Sequence, residues 1–498
     1  MTAGSPLGAS PWLDVPAPPA RPPLSGTIDA DVAVVGGGII GLTTALLLQR
    51  AGARVVVLEA RTVAAATSGH TTAKLTSLQG RAYSKIGSRR PDGASDYARA
   101  NEAGIDLIER LARELEIDCA LRRLTNYTYA TSDDEVSEIE SEHAAAAAAG
   151  LPVRLVEAAP LPFPTAAAVA LDDQAQFDPV PYLRGLADAL DADGQCVYEG
   201  SRVESTPGSG ARTDGGEVVA DRVVLATQLP IVDRIGIFSR AEPTSSYSIT
   251  VPVEGPFDGM YMDATESWSM RGLEHGGKHL ALVGGQGHRI GAGSPTESIE
   301  ALAAFAGQKL GSAQVRHRWE AHDYVSEDHL PYVGPVTPLS DRMLTATGMS
   351  KWGLALGSAC AEMLADSISG GEHAWPEAFD SRRVPRPRAV PTLAKHSAET
   401  TKHLIGDRLK RASADDLEPG DGAVIGSGLE QRAAYRQEDG TLIELSARCT
   451  HLGCIVSWNP NASTWDCPCH GSRFGVDGEV ITGPAVSPLA RKTRATAR

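Results

Sequence analysis

Four of the chain's seven cysteines lie close to its C-terminus, in the stretch CTHLGCIVSWNPNASTWDCPCHGS. This stretch contains Cys449-x-His451 and then Cys467-x-x-His470. Thiolates and imidazoles bind zinc and iron in proteins. A zinc finger usually pairs two cysteines and then two histidines, whereas each short loop here offers one of each. The arrangement suits a dinuclear iron cluster with the cysteines on one iron and the histidines on the other, and a zinc site is the alternative.

A second group of residues, near the N-terminus, has the spacing of a dinucleotide site. Gly36, Gly38 and Gly41 lie between the apolar segment DVAVV and a helical pattern, and Glu59 ends the next apolar segment. Glycines at these positions allow a tight turn, close approach of backbone N–H groups to a pyrophosphate, and close packing of helix on strand. Glu59 can accept hydrogen bonds from an adenosine ribose. The pattern predicts a dinucleotide site without separating FAD from NAD; an ordinary glycine turn is the alternative.

The elements around these two groups indicate several domains. The first thirty residues are rich in proline and small residues and predict an extended arm, after which a βαβ pattern begins. Helical patterns fill much of 95–150, and mixed strand and turn patterns fill 150–345. The basic, proline-rich segment SRRVPRPRAVP and a polar helical segment lead into a small all-β module. We predict an arm, an oxidoreductase domain, a linker with a short helix, and a cluster domain, at residues 1–30, 31–380, 381–414 and 415–498.

Composition and charge exclude several classes of function. The 498 residues include 46 Lys and Arg against 62 Asp and Glu, which gives a formal net charge of −16. This charge disfavours nucleic-acid and anionic-membrane partners, since both need basic patches. No apolar run approaches the roughly 20 residues of a membrane span, and the N-terminus lacks the pattern of a signal peptide. The other three cysteines are scattered singly, which suits a reducing compartment, so we predict a cytoplasmic protein.

The C-terminal stretch resembles the Rieske [2Fe–2S] domains of the cytochrome bc type over about residues 415–490. The resemblance assigns the cluster ligands to Cys449, His451, Cys467 and His470. It also implies a disulfide between Cys454 and Cys469, for which two free buried thiols are the alternative. Ser472 matches a serine that donates to cluster sulfur. Phe474 replaces the tyrosine of high-potential members, so one donor that raises the reduction potential is missing.

Four segments, in order along the chain, resemble the D-amino-acid oxidase-like superfamily of FAD oxidoreductases. They are QFDPVPYLRGLADAL, ADRVVLATQLP, SEDHLPYVGPV and DRMLTATGMSKWGLALG. The superfamily fold combines an α/β FAD-binding part, of the two-dinucleotide-binding-fold type, with a mostly antiparallel sheet that roofs the substrate cavity. The resemblance places the FAD-binding part at residues 31–95, 195–235 and 325–380. The whole chain is similar to bacterial FAD oxidoreductases of this group that are fused to a C-terminal Rieske domain.

The same resemblance implies FAD contacts beyond the glycine motif and Glu59. The glycine loop from Gly348 to Gly353 is expected to face the pyrimidine end of the flavin, where the N-terminus of the next helix stabilises negative charge on the reduced ring. For Trp352 a core position is the alternative. The implied contacts are Thr67, Ser68, Val203, Ala226, Thr227, Gly348, Lys351, Trp352 and Gly353.

The segment ATSGHTTAKLT and a roof strand supply the candidate catalytic residues. Lys74 is the candidate partner of a substrate carboxylate or of the flavin, with a solvated lysine as the alternative. Arg271 matches a roof-strand arginine of relatives, with a structural ion pair as the alternative. His70 lies where dimethylglycine dehydrogenase-like relatives attach FAD covalently, but Gly69 replaces the aromatic residue that precedes that histidine. We therefore predict non-covalent FAD, with His70 lining the site.

A two-electron carrier joined to a one-electron carrier suggests a function. The leading hypothesis is an FAD-dependent dehydrogenase that oxidises a C–N bond of a small amine or amino acid by hydride transfer to FAD. Electrons then pass singly through the cluster to an unidentified acceptor. The alternative is an electron relay or redox sensor that a partner protein reduces. A Rieske oxygenase is disfavoured, because the sequence offers no convincing 2-His-1-carboxylate iron motif.

Overall fold

The computed structural model describes residues 10–16, 18–208, 210–371, 375–386, 413–426 and 430–492. Most of the predicted linker, with its polar helical segment, lies outside these residues. The described residues form two large sheets and two small C-terminal sheets. The predicted fold class is confirmed, since an α/β part, a mostly antiparallel sheet and a small all-β part are all present. None of the described helices has both the length and the hydrophobicity to cross a membrane.

The first large sheet carries the glycine motif. One of its faces packs against helices and the other against a second group of buried apolar residues, which explains why the four residues after Asp31, VAVV, are all apolar. Its strand pairs are parallel except for two antiparallel pairs, Tyr332–Pro335 with Met343–Thr347 and Ala211–Arg212 with Gly216–Leu225. In spatial order the strands are β15 (Tyr332–Pro335), β16 (Met343–Thr347), β9 (Gly216–Leu225), β1 (Gly26–Val35), β2 (Val55–Leu58) and β7 (Val197–Tyr198), with β8 (Ala211–Arg212) paired to β9.

Seven helices are found among the described residues. Helix α1 packs against α5 and α7, and α3 packs against α7. The contact of α3 with α7 is close, because a Cβ on Gly104 would lie 1.8 Å from the Ala355 carbonyl oxygen. The helices are α1 (Ile39–Arg50), α2 (Ala82–Arg89), α3 (Ala94–Glu114), α4 (Val136–Ala148), α5 (Pro179–Asp191), α6 (Pro295–Leu310) and α7 (Ala355–Ile368).

The second large sheet corresponds to the predicted roof. Its nine strands are antiparallel to their neighbours except for one parallel pair, β4 with β11. Residues 95–150 were predicted to be largely helical, and the structure corrects this in part. Strand β4 lies between α3 and α4 in this region. In spatial order the strands are β14 (His317–Ser326), β10 (Ala241–Pro252), β13 (Lys278–Arg289), β12 (Ser269–His275), β11 (Met260–Asp263), β4 (Arg122–Ala130), β6 (Ala167–Gln176) and β3 (Lys74–Leu75), with β5 (Arg154–Val156) paired to β6.

The C-terminal part forms two small antiparallel sheets around their own apolar core. Trp465, Phe474 and Leu445 are fully buried in that core together with four cysteines. The first sheet contains β17 (Gly422–Ile425), β18 (Arg432–Arg436) and β19 (Leu442–Ser446). The second contains β20 (Ser457–Asn459), β21 (Thr464–Asp466), β22 (Arg473–Phe474) and β23 (Val480–Thr482).

The N-terminal arm differs from its prediction in two respects. Its last residues belong to β1, which begins at Gly26 because that end of the strand pairs with β9. The arm is also held in place, since Trp12 is only 4% exposed and its Nε1 donates to the Thr71 carbonyl oxygen at 2.8 Å. The Ser10 hydroxyl donates to the Gly69 carbonyl oxygen at 2.5 Å. The arm therefore supports the segment that contains His70.

Candidate functional site: a flavin cavity beside a cysteine and histidine pocket

Two short loops of the C-terminal part bring the predicted cluster ligands together. Cys449 and His451 follow β19, and Cys467 and His470 lie between β21 and β22. The two imidazole rings are perpendicular, at 86°, with centroids 5.0 Å apart. The Nδ1 atoms of both rings are buried and have no hydrogen-bond partner in the described part of the chain. Both thiols are free and buried.

The protonation of these groups suits metal binding. Burial lowers the pKa of His451 to about 4 and that of His470 to about 3, so both rings are neutral at neutral pH. A hydrogen bond with Cys467 lowers the pKa of Cys449, which also interacts with the Ser472 hydroxyl and with two backbone N–H groups. Two thiols and two unpartnered imidazole nitrogens form the donor set that a [2Fe–2S] cluster of the Rieske type requires.

A disulfide joins Cys454 to Cys469, as the resemblance implied. It connects the two loops directly behind the ligands. The sulfur atoms of Cys454, Cys467 and Cys469 lie within 4.8 Å of one another, but two of them are in the disulfide, so this trio is not a second metal site. The Ser472 hydroxyl accepts from the Ala485 N–H at 3.0 Å, which anchors the following loop to the pocket.

The glycine motif has the close approaches that its spacing predicts. Gly36 has φ of +115°, and a Cβ there would lie 2.5 Å from the Ala226 carbonyl oxygen. A Cβ on Gly41 would lie 1.9 Å from the Gly36 carbonyl oxygen. Gly38 caps the N-terminus of α1. The Glu59 carboxylate accepts from the Gly37 N–H at 2.7 Å, and the N-terminus of α1, the end of a helix that favours a pyrophosphate, begins at this turn, which we call the cradle.

A cavity of about 1060 Å³ extends from this cradle to the roof sheet. Its size and its glycine-rich wall suit a dinucleotide and a small substrate. Most of the predicted cofactor contacts line it, whereas Gly41 packs behind the turn and Lys74 and Arg271 lie behind the wall. The predicted residues that line the cavity are Gly36, Gly38, Glu59, Thr67, Ser68, His70, Val203, Ala226, Thr227, Gly348, Lys351, Trp352 and Gly353.

Lys74 is buried directly behind the cavity. Its ammonium donates to the Ser269 hydroxyl and lies 5.8 Å from the centroid of the Trp352 ring. Both of these neighbours line the cavity. Burial lowers the pKa of Lys74 to about 7, with a smaller contribution from the charge of Arg271. The solvated lysine of the alternative reading is therefore not what the structure contains.

Arg271 holds backbone in place. Its Nη1 donates to the carbonyl oxygens of Ala73 at 2.6 Å and Phe177 at 3.2 Å. Its guanidinium lies 5.1 Å from the centroid of the Trp12 ring. These contacts fix the segment after His70 against the roof sheet and the N-terminal arm. They differ from both interpretations of the sequence, since Arg271 does not line the cavity and forms no ion pair with a carboxylate of the described residues.

His70 lines the cavity from the loop that follows β2. Its Nδ1 lies 2.9 Å from the Ala66 carbonyl oxygen, so in the neutral ring Nδ1 carries the proton. Its own carbonyl oxygen accepts from Trp319 Nε1 at 2.9 Å. Burial lowers the pKa of His70. The neutral ring thus offers the cavity an unprotonated Nε2.

The glycine loop before α7 has an unusual backbone. Gly348, Ser350 and Lys351 have φ of +75°, +51° and +76°. The loop keeps this conformation because its N–H groups are bound, that of Ser350 by the Tyr324 carbonyl oxygen at 3.0 Å and that of Lys351 by the Asp323 carboxylate. Burial raises the pKa of Asp323 to about 6.

Several cavity residues were not predicted from the sequence. They come from the loop after β2, the segment before Val203, the turn after β9, and β14. No spacing rule marks them, because each enters the cavity only through tertiary packing. They are Arg61, Arg202, Gln228, His322 and Asp323.

The cysteine and histidine pocket lies against the α/β and roof parts. The Phe238 ring contacts both histidines, with its centroid 4.5 Å from that of His451 and 5.7 Å from that of His470. The Tyr324 hydroxyl donates to the His470 carbonyl oxygen at 2.8 Å. Arg473 pairs with Glu320 at 2.7 Å across the same contact. The histidine side of the pocket therefore faces the part of the chain that contains the cavity.

Comparison with known families agrees with this geometry. A family model described as FAD dependent oxidoreductase matches residues 31–367. The chain belongs to the FAD-dependent oxidoreductase family. A Rieske [2Fe-2S] domain model matches residues 408–493 of this oxidoreductase. The two matches, with the fitting cradle and donor set, establish FAD and a [2Fe–2S] cluster as its cofactors.

Relatives are found both for the whole oxidoreductase and for its C-terminal part. A protein of Bacillus subtilis (strain 168), provisionally named Rieske 2Fe-2S iron-sulfur protein YhfW, is 32% identical over 484 residues, which is 95% of each chain. The cytochrome b6-f complex iron-sulfur subunit of Microcystis aeruginosa is 50% identical over 94 residues, 18% of this chain and 44% of that protein.

Solved structures share the fold of the larger part. L-proline dehydrogenase from P. horikoshii has a TM-score of 0.60 at 19% identity and covers 72% of this chain and 98% of its own. Glycine oxidase from Geobacillus kaustophilus has a TM-score of 0.60 at 21% identity and covers 72% of this chain and 100% of its own. These similarities establish the architecture of the flavin-binding and roof parts.

Proposed function

We propose that this oxidoreductase is a dehydrogenase that oxidises a C–N bond of a small amine or amino acid to C=N, with the hydride passing from the carbon of that bond to FAD, and that the cluster delivers the electrons singly to an external acceptor. The observation that carries the proposal is the position of the histidine pair. Phe238 and Tyr324 contact the cluster loops from the flavin side, and Tyr324 also binds the glycine loop that the resemblance places at the flavin.

The walls of the cavity support an amino-acid substrate. Side chains of both signs line it, including Lys85 and Lys351 on one hand and Asp323, Glu266 and Glu297 on the other. A small molecule with both an amino and a carboxyl group can pair with both kinds of charge. The names of the structural neighbours, which include L-proline dehydrogenase, glycine oxidase and L-amino acid deaminase, point to the same class of compound.

Residues of the chain position the reacting groups. The Gly348–Gly353 loop, held by hydrogen bonds to its N–H groups, places the N-terminus of α7 at the cavity. The helix dipole stabilises negative charge there. The neutral His70 offers an unprotonated nitrogen, and Asp323 fixes the loop through the Lys351 N–H. Holding substrate and cofactor in register is the main demand that hydride transfer makes of a protein.

The test is an anaerobic titration of the purified holoenzyme with a panel of small amines and amino acids. Flavin bleaching and the spectrum of the cluster are followed separately. We expect at least one compound to bleach the flavin and then reduce the cluster. A Cys449→Ser variant should keep flavin reduction and lose electron transfer to a one-electron dye. The control is Cys119→Ser, at a buried free cysteine that is not a predicted cluster ligand, and it should keep both.

The relay hypothesis makes the opposite prediction. If no compound of the panel bleaches the flavin, and a reduced electron-transfer protein reduces both centres, the dehydrogenase proposal is wrong and the chain is a relay. If the flavin is bleached but the cluster stays oxidised, the route from flavin to cluster is wrong while the substrate class stands.

A further inference from the structure

The C-terminal domain lines part of the cavity that contains the dinucleotide cradle. Its contribution comes from the end of β23 and from the loop that Ser472 anchors. The residues are Ile481, Thr482, Gly483, Ala485 and Val486. All the FAD contacts implied by family resemblance lie before residue 380. These five residues are therefore a further part of the cavity wall, contributed by another domain.

Direct contacts attach this segment to the flavin-binding part. Arg202 Nη2 donates to the Val480 carbonyl oxygen at 2.6 Å, and Arg202 itself lines the cavity beside Val203. Gly483 lies beside another cavity residue, Ile231, because a Cβ added to Gly483 would lie 3.6 Å from Ile231 Cγ2. Val203 matches a position of the resembled superfamily whose backbone meets the adenine, so the C-terminal segment is expected on the adenosine side of the cradle.

A buried polar network holds the two domains in this arrangement. Arg473 Nη2 lies 2.7 Å from Glu320 Oε1 and 2.6 Å from His322 Nε2. The Asn459 amide donates to Glu320 Oε2 at 3.1 Å. The Glu320 side chain is only 3% exposed, so removing the charge of Arg473 while the domains stay docked would leave a buried carboxylate without its charged partner, which is costly. His322 lines the cavity, and the network is thus continuous with its wall.

We propose that the C-terminal domain completes the FAD-binding site and that its docking retains FAD. The segment 480–486 forms a wall on the adenosine side, and the Arg473–Glu320 pair keeps that wall closed. The proposal concerns retention of the cofactor and does not depend on the identity of the substrate.

Hydrogen–deuterium exchange tests the wall directly. Flavin is removed from the full chain, and exchange is compared before and after FAD is added back, with cluster absorbance confirming an intact domain. We expect FAD to slow exchange in the peptide covering 480–486 at least threefold, and to leave the β18 peptide of the same domain unchanged. Equal exchange in 480–486 with and without FAD, at saturating flavin fluorescence quenching, overturns the proposal.

A pair of matched variants tests the docking. Arg473→Gln removes the charge that spans the domains, whereas Arg432→Gln removes a charge that pairs with Glu444 inside the C-terminal domain. FAD release from the holoenzyme is followed by the rise in flavin fluorescence after dilution. We expect release to be at least tenfold faster in Arg473→Gln and unchanged in Arg432→Gln.

Glu320→Gln provides the same test from the flavin-binding part, and it leaves Arg473 and its contact with Asp466 inside the cluster domain in place. It should also accelerate FAD release, with the cluster spectrum preserved. Wild-type release rates in both Glu320→Gln and Arg473→Gln would show that docking does not retain FAD.

Discussion

The Tyr324 hydroxyl donates to the backbone carbonyl oxygen of His470 at 2.8 Å, while the Tyr324 carbonyl oxygen accepts from Ser350 in the glycine loop at 3.0 Å. A single residue therefore joins the loop that holds the cluster ligands to the loop assigned to the flavin. Tyr324 is 2% exposed, and the contact lies within an apolar group of residues.

Replacing Tyr324 by phenylalanine should slow electron transfer between the two centres. Loss of the bond to His470 loosens the contact between the loops and costs about 1 kcal/mol of stability. We expect cluster reduction to slow severalfold after rapid flavin reduction in a stopped-flow experiment, with the flavin phase unchanged. Tyr182→Phe is the matched control, because the Tyr182 hydroxyl is buried without a partner in the described ranges. Identical cluster phases in both variants would contradict this role.

The disulfide between Cys454 and Cys469 should brace the cluster loops. Replacing both cysteines by alanine removes the link between the loops and is expected to lower the free energy of unfolding of the domain by about 2–5 kcal/mol. The visible spectrum of the cluster should decay faster during incubation with a chelator. Thiol counting on the denatured, unreduced wild-type protein after cluster removal checks the bond itself. Detection of the Cys454 and Cys469 thiols in that assay would show that the bridge does not form.

A Phe474→Tyr variant should have a higher cluster reduction potential. Phe474 is fully buried in the C-terminal core two residues after Ser472, at the position where high-potential relatives have a tyrosine. A hydroxyl that donates to cluster sulfur stabilises the reduced form, which is the more negative one. Protein-film voltammetry measures the change, and Phe474→Leu controls for altered packing. A potential that falls or stays constant in Phe474→Tyr argues against the missing donor.

FAD should be released when the protein is precipitated with acid. His70 is the residue to which a covalent bond would be made, but Gly69 before it departs from the pattern of the covalent relatives. We expect a yellow supernatant and a colourless pellet. A yellow pellet from the wild type that becomes colourless in His70→Ala would instead identify His70 as the attachment point.

Burial of Lys74 should make the stability of the protein depend on pH. The pKa of Lys74 is lowered to about 7 in the folded state, against about 10.4 in an unfolded chain. Between these values the unfolded chain holds one more proton than the folded one, so stability should rise with pH across this window, by up to about 4 kcal/mol. Urea unfolding of the holoenzyme from pH 7 to 10 measures this rise.

Lys74→Met should remove this contribution, because methionine fills a similar volume without a charge. The matched control is Lys278→Met at an exposed lysine on β13, which should keep the wild-type slope. If the slope in Lys74→Met equals that of the wild type, Lys74 is not the group responsible.

The sequence predicted best where function depends on local spacing. The turn at Gly36, the strand that ends at Leu58 and the pairing of Cys449 with His451 each follow from residues close together in the chain. Such motifs specify their own backbone, so they can be recognised without knowledge of the rest of the fold.

Contacts between distant segments could not be predicted in this way. Arg473 and Glu320 lie 153 residues apart and meet only because the cluster domain docks on β14. His322 and Asp323 belong to a strand whose alternation shows burial but not which cavity it faces. Residue type and family position indicate Lys74 and Arg271 as candidates, but the burial that fixes their surroundings depends on strands far away in the chain.

The docked arrangement also bears on how fast the enzyme can work in a viscous solution. In redox proteins whose mobile domain diffuses between an electron donor and an electron acceptor, a higher solvent viscosity slows electron transfer. Here the pair of Arg473 and Glu320 spans the contact between the domains, and a domain that moved would have to break this pair at every turnover. Electron transfer across a docked contact needs no diffusion of the domain. The rate of electron transfer from flavin to cluster should therefore be the same in buffer and in concentrated sucrose.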